Sequence, residues 1–121
     1  MKAILVVDDY SSLGEMIAAV LRGSGYRVLT ASSGESALRL LPKKGGAKID
    51  LLLTDYEMPL MRGDELARRF HDALPDGRVV MMSSAAPQAD SPRWCEFLAK
   101  PFHVDVLLSK VESALTSGGK S

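Results

Sequence analysis

Apolar residues along this chain fall into two kinds of run that take turns. Residues 3–7, Ala-Ile-Leu-Val-Val, are continuously aliphatic and end at Asp8-Asp9, as a strand buried on both faces would. After it, Leu13, Met16, Ile17, Val20 and Leu21 recur at helical spacing; Ser12 and Glu15 fit a capping box, and Gly23 and Gly25 end the helix. Tyr26 to Ala31 predicts a second strand, and Ser32-Ser33-Gly34-Glu35 repeats the cap signature before a short stripe, Ala37, Leu38 and Leu41, that stops at Pro42. A polar loop, 43–48, leads to a third strand, Leu51 to Thr54, ending at Asp55. Beyond a loop with Pro59 and Gly63, a third helix is marked by Leu66, Ala67, Phe70 and Leu74. The Pro75-Asp76-Gly77 turn closes it before a fourth strand, Val79 to Ser83. A fifth strand fits Glu96 to Ala99, and Val104, Leu107, Leu108, Val111 and Leu115 make a final amphipathic helix.

Strands that alternate with helices and are themselves solidly apolar call for a parallel sheet covered on both faces. The expected fold is α/β, a flavodoxin-like doubly wound five-stranded sheet in the order 2-1-3-4-5. The segment 85–92 breaks the alternation: Pro87 and Pro92 remove amide donors and disfavour helical geometry in the residues before them. The fourth helix is therefore expected to be shortened or absent.

At 121 residues the chain is of single-domain size, with a domain over 1–116 and a polar, Gly-rich tail over 117–121. Lys+Arg and Asp+Glu are both 15, so no global basic field exists for nucleic acid or anionic membrane. No apolar run nears the roughly 18 residues of a membrane span, and the N-terminal run is too short for a secretory signal. Cys95 is the single cysteine and reads as a small packing residue, so the expected location is the cytoplasm. Met58, Met61, Met81 and Met82 read as packing residues, and His71 and His103 as surface ones.

In doubly wound sheets, ligands lie beyond the carboxyl ends of the strands. This chain would bring Asp8 and Asp9, Asp55, Ser83 with Ser84 as the alternative hydroxyl, and Lys100 to that one rim. Two carboxylates ~4 Å apart repel by roughly 4 kcal/mol at an effective dielectric of 20, so three need a cation or protonation to persist. Mg²⁺, a hard cation held through one or two carboxylates, suits them. An ionised Asp beside it can attack phosphorus to give an aspartyl phosphate.

With these residues in order, Asp8-Asp9, Asp55-Tyr56-Glu57-Met58-Pro59-Leu60-Met61-Arg62-Gly63, Ser83 and Lys100-Pro101-Phe102, the chain resembles the response-regulator receiver domains over about residues 2–115. The resemblance implies a switch rather than a turnover enzyme, with Asp55 the phospho-acceptor and a sensor histidine kinase or phosphotransfer protein the donor. It implies that Asp8, Asp9 and Asp55 hold Mg²⁺ with the backbone carbonyl of Glu57. It also implies that Ser83 hydrogen-bonds the phosphoryl group, Lys100 pairs with it, and Phe97 takes the aromatic switch position where the family often has Tyr. Phosphorylation would bias the surface formed by the fourth helix, the fifth strand and the last helix toward a downstream protein target or an output domain. A monomer or weak phosphorylation-dependent dimer is implied, as is a cis Lys100-Pro101 bond.

The distance from Asp55 to Ser83, 83 − 55 = 28 residues, is like that of ordinary receivers, but Ser83 to Lys100, 100 − 83 = 17, is shorter than the family's usual segment. Signalling would then pass through Trp94, Phe97 and the last helix. Trp94 is read either as an exposed anchor or as a cover for the core.

Three rivals share some features. Gly118-Gly119-Lys120-Ser121 imitates the end of a nucleotide-binding P-loop, but Ala114 stands where its first Gly belongs. In a flavin carrier, Asp8 and Asp9 would repel the flavin phosphate. A phosphatase of the haloacid-dehalogenase kind also uses an aspartyl phosphate, but from an Asp-x-Asp after its first strand, whereas here the acceptor follows the third strand and Glu57 stands two residues on.

Overall fold

The computed structural model describes residues 1–42, 48–84 and 92–117. Its elements are β1 (Ala3–Val7), α1 (Ser11–Gly23), β2 (Arg27–Ala31), α2 (Gly34–Leu40), β3 (Leu51–Asp55), α3 (Gly63–Ala73), β4 (Arg78–Ser83), β5 (Cys95–Ala99) and α4 (Val104–Ser117). The strands form one parallel sheet in the order β2-β1-β3-β4-β5, as the alternating pattern predicts. Strand and helix ends agree with the sequence reading to within a residue or so, the usual uncertainty at frayed ends. The expectation of a shortened or missing fourth helix falls on residues 85–91, which lie outside the described residues.

Successive strand residues face opposite sides, so the sheet divides the core in two. Ile4, Val6, Leu51, Leu53, Val80, Met82 and Leu98 pack with Ile17, Ala18 and Leu21 of α1 and Leu107, Val111 and Ala114 of α4. On the other face, Leu5, Val7, Leu52, Val79, Met81 and Cys95 pack with Ala37 of α2 and Leu66, Ala67 and Phe70 of α3. β1 and β3 are buried along their whole length, which is why their sequences show no polar alternation. Met58, Met61, Met81 and Met82 are all core residues.

Three local readings need correction or choice. The Ser12/Glu15 capping box does not form: α1 begins two residues earlier than that box would start it, its N-cap is Tyr10, and no side chain caps it. The backbone carbonyl of Tyr10 accepts from Leu13 and Gly14 instead, which leaves Ser12 inside the first turn. In α2 the box does form, but between Ser33 and Ser36 rather than with Glu35. His71 is not a free surface residue: its ring stacks on Trp94 with centroids 4.2 Å apart and planes 8° from parallel. Trp94 is half-buried against the Phe70 side of the core, a contact that the covering reading requires. His103 is exposed, as expected.

Candidate functional site

The carboxyl ends of β1, β3, β4 and β5 open on one rim, and each delivers a polar group there. Asp8, just past β1, is 2% exposed; the Tyr10 backbone N–H donates to its Oδ1 at 2.8 Å, while its own N–H donates to the Ala31 carbonyl at the end of β2. These two contacts turn the carboxylate inward while neighbouring Asp9 stays exposed. Asp55 is the last residue of β3 and is 5% exposed. Its backbone carbonyl accepts from Thr54 Oγ1 at 3.0 Å. Tyr56 N–H donates to the Met82 carbonyl and accepts at its own carbonyl from Gly63, which ties the loop after β3 to β4 and to the start of α3.

Gly63 is required by that closure. A Cβ there would lie 2.3 Å from the Asp55 carbonyl oxygen and 2.8 Å from the Tyr56 Cα, both backbone atoms that cannot swing aside. Between them the loop makes a tight turn at Leu60, where Met61 N–H donates to the Pro59 carbonyl at 2.8 Å and Leu60 has φ +71°. Leu60 is also 95% exposed. Nothing in the pattern of the chain predicts a leucine in that backbone conformation, which Gly or Asn adopt more readily.

Lys100 follows β5, its backbone N–H donates to the Ser83 carbonyl at 2.9 Å, and the Lys100-Pro101 bond is cis as expected. The ammonium stands 3.1 Å from Asp55 Oδ1 and 3.6 Å from Asp8 Oδ2. It offsets one negative charge there without satisfying the lone pairs: neither buried oxygen has a hydrogen-bond partner of acceptable geometry. Carboxylate oxygens of Asp8, Asp9 and Asp55 come within 4.8 Å of one another. Three carboxylates against one ammonium leave 3 − 1 = 2 negative charges when all are ionised. Two unsatisfied buried oxygens and this residual charge fit a hard divalent cation with oxygen ligands.

The environment of the rim shifts the pKa of Asp55. Burial pushes it above the usual carboxylate value; the Lys100 ammonium, through its close contact and its charge, opposes this, and the charges of Asp8 and Glu57 add to it. Ser83, at the end of β4, is buried, whereas Ser84 is exposed. Of the two hydroxyls, Ser83 is the one held at the rim. Its Oγ donates to Glu57 Oε2 at 3.1 Å, a contact that sequence reading missed because the residues lie on different elements 26 positions apart. Phe97 lies in β5 beside Met81 of β4, half-buried against the same side of the core as Trp94. The site therefore gathers Asp8, Asp9, Asp55, Ser83, Glu57 and Lys100, while Phe97 stands apart on the β5 edge.

Comparison with known proteins agrees with this geometry. The sequence matches the response regulator receiver domain family over residues 4–112. It is 35% identical over 120 residues to the response regulator receiver protein CpdR of Brucella abortus (strain 2308), covering 95% of this chain and 98% of that one. It is 31% identical to the phosphate regulon transcriptional regulatory protein PhoB of Pseudomonas aeruginosa, covering 98% of this chain but 53% of PhoB. Among solved structures, it resembles the response regulator TrrA of Thermotoga maritima in complex with Mg²⁺-BeF, with a TM-score of 0.81 and 32% identity over 95% of this chain and 100% of that one. The receiver domain of the hybrid histidine kinase CckA gives a TM-score of 0.80 and 31% identity, covering 93% and 98% of the two chains. Among the described residues, no helix is long and apolar enough to cross a membrane.

Proposed function

The chain belongs to the response regulator receiver family, and from that premise we propose that Asp55 accepts a phosphoryl group from the phosphohistidine of a sensor histidine kinase or phosphotransfer protein. The observation that carries the reading is the buried Asp55 carboxylate, 3.1 Å from the Lys100 ammonium and grouped with Asp8 and Asp9. An Asp55 carboxylate oxygen forms the new O–P bond as the P–N bond to the donor imidazole breaks and the electron pair leaves with the imidazole. Asp8, Asp9 and Asp55, with the backbone carbonyl of Glu57, would hold Mg²⁺. That ion supplies charge neutralisation for the phosphoryl oxygens.

Lys100 orients Asp55 before transfer and pairs with the phosphoryl group after it. Ser83 donates a hydrogen bond from its hydroxyl to a phosphoryl oxygen. The added charge, roughly −1.5 to −2, biases the β5 and α4 surface with Phe97 as the switch aromatic, and a downstream protein or output domain reads the change. Residues 1–116 form the switch unit, and hydrolysis of the aspartyl phosphate is slow. A haloacid-dehalogenase-like phosphatase is not favoured, because the acceptor follows β3 and the family match covers residues 4–112.

The test is labelling with acetyl phosphate and Mg²⁺. One phosphoryl group per chain is expected, lost with EDTA and lost in Asp55→Asn. Full labelling of a folded Asp55→Asn chain would overturn the assignment.

A further inference from the structure

Ser83 is committed to a different partner from the one phosphorylation needs. Its Oγ donates to the Glu57 carboxylate at 3.1 Å, joining an exposed residue of the loop after β3 to the buried end of β4. A hydroxyl has one proton to donate, so it cannot serve Glu57 and a phosphoryl oxygen on Asp55 together. The existing bond is charge-assisted, which makes it roughly twice as strong as a neutral one. A phosphoryl group would also bring a second acceptor and roughly −1.5 to −2 charges to the mouth where Glu57 sits. The two acceptors therefore compete for one proton and repel each other.

We propose that Glu57 is a positioning residue that holds the Ser83 hydroxyl off Asp55 and yields it only to a bound phosphoryl group, raising the threshold for switching. The inference deepens the phospho-acceptor reading and rests on it. Glu57 already opposes ionisation of Asp55 through its charge, so the hydrogen-bond effect has to be separated from the charge effect.

A double-mutant cycle does this, read as affinity for beryllium fluoride at saturating Mg²⁺, with a thermal melt confirming that each variant is folded. Beryllium fluoride on an aspartate mimics the phosphoryl group, and saturating Mg²⁺ removes any change in cation affinity. Glu57→Ala should bind the mimic about tenfold more tightly than the unaltered chain, the scale of one hydrogen bond to a charged group at its weak end. In a Ser83→Ala background the same change should give a clearly smaller gain, under about fivefold, because only the charge repulsion is relieved and no hydroxyl is left to release. Ser83→Thr, which keeps a hydroxyl, should restore the gain. An equal gain with and without the Ser83 hydroxyl would mean that Glu57 acts through charge alone and would overturn the proposal, as would an absence of gain in the first variant. If the unaltered, folded chain took up neither beryllium fluoride nor a phosphoryl group from acetyl phosphate, the acceptor reading itself would fall.

Discussion

The middle of β3 and its end are neighbours in the chain and opposites in chemistry. Leu51, Leu52 and Leu53 are fully buried among side chains that match them, each facing one of the two core halves. Asp55, two residues beyond, is almost as buried, but among Asp8, Glu57 and Lys100, with an oxygen that has no hydrogen-bond partner. Burial stabilises the first region and works against the second. Stability is concentrated in the sheet's interior so that the rim can keep an ionisable carboxylate in a poorly solvated place, where its charge is most responsive to a cation or a phosphoryl group.

The largest effect expected from breaking this contrast lies on the core side. Phe70 is fully buried between α3 and the sheet, and Phe70→Ala should lower unfolding free energy by about 3–5 kcal/mol in a denaturant titration. A loss under 1 kcal/mol would mean that the Leu66 and Phe70 face of α3 is not packed as described. Gly63→Ala tests the seam between the regions. Its Cβ would lie 2.3 Å from the Asp55 carbonyl oxygen, so a destabilisation of about 1–3 kcal/mol is expected, together with slower labelling as the loop after β3 shifts. Unaltered stability and rate would show that the loop has slack.

On the rim side the sign reverses. Burial raises the folded-state pKa of Asp55 above its unfolded value, so ionised Asp55 disfavours the fold at any pH above the raised value. Asp55→Asn should therefore raise the melting temperature of the metal-free protein at neutral pH. The gain should shrink as pH falls through the raised value and vanish below the ordinary carboxylate range, where both states of the unaltered chain are protonated. A melting temperature lowered by the substitution at neutral pH would show that the Lys100 pair outweighs desolvation. The smallest effect is expected at Glu57, whose side chain is exposed and whose charge acts within a Debye length of about 8–10 Å. Glu57→Gln should weaken Mg²⁺ binding by a factor of about two to five, the range of an exposed charge interaction, and unchanged or tighter binding in a titration would refute it.

How much of this was legible in the chain depends on the range of the interaction. Continuous runs such as Leu51-Leu52-Leu53 and stripes such as Leu66, Ala67 and Phe70 identified strand and helix, because side-chain periodicity is a local property. The rim was legible for the same reason: Asp8, Asp55, Ser83 and Lys100 each follow an apolar run, and a parallel sheet sends all such ends one way. The cap of α1 was misread because Ser12 and Glu15 satisfy the local pattern, while the chain enters the helix at Tyr10, next to the Asp8 that receives its N–H. His71 was misread because its partner Trp94 is distant in sequence and reaches it only through the start of β5.

Local pattern alone was enough for the order and type of the elements, the division of the core by alternating strand residues, and the acids, hydroxyl and lysine that share the rim. It took the folded arrangement to set Lys100 closer to Asp55 than to Asp8, to leave two buried carboxylate oxygens without hydrogen bonds, and to turn the Ser83 hydroxyl toward Glu57 as a hydrogen-bond donor. Periodicity fixes the direction of a side chain to within a face, whereas a hydrogen bond requires two groups to meet within about 0.5 Å of an ideal distance. Between residues 26 positions apart, that is set by strand register and by the turn at Leu60.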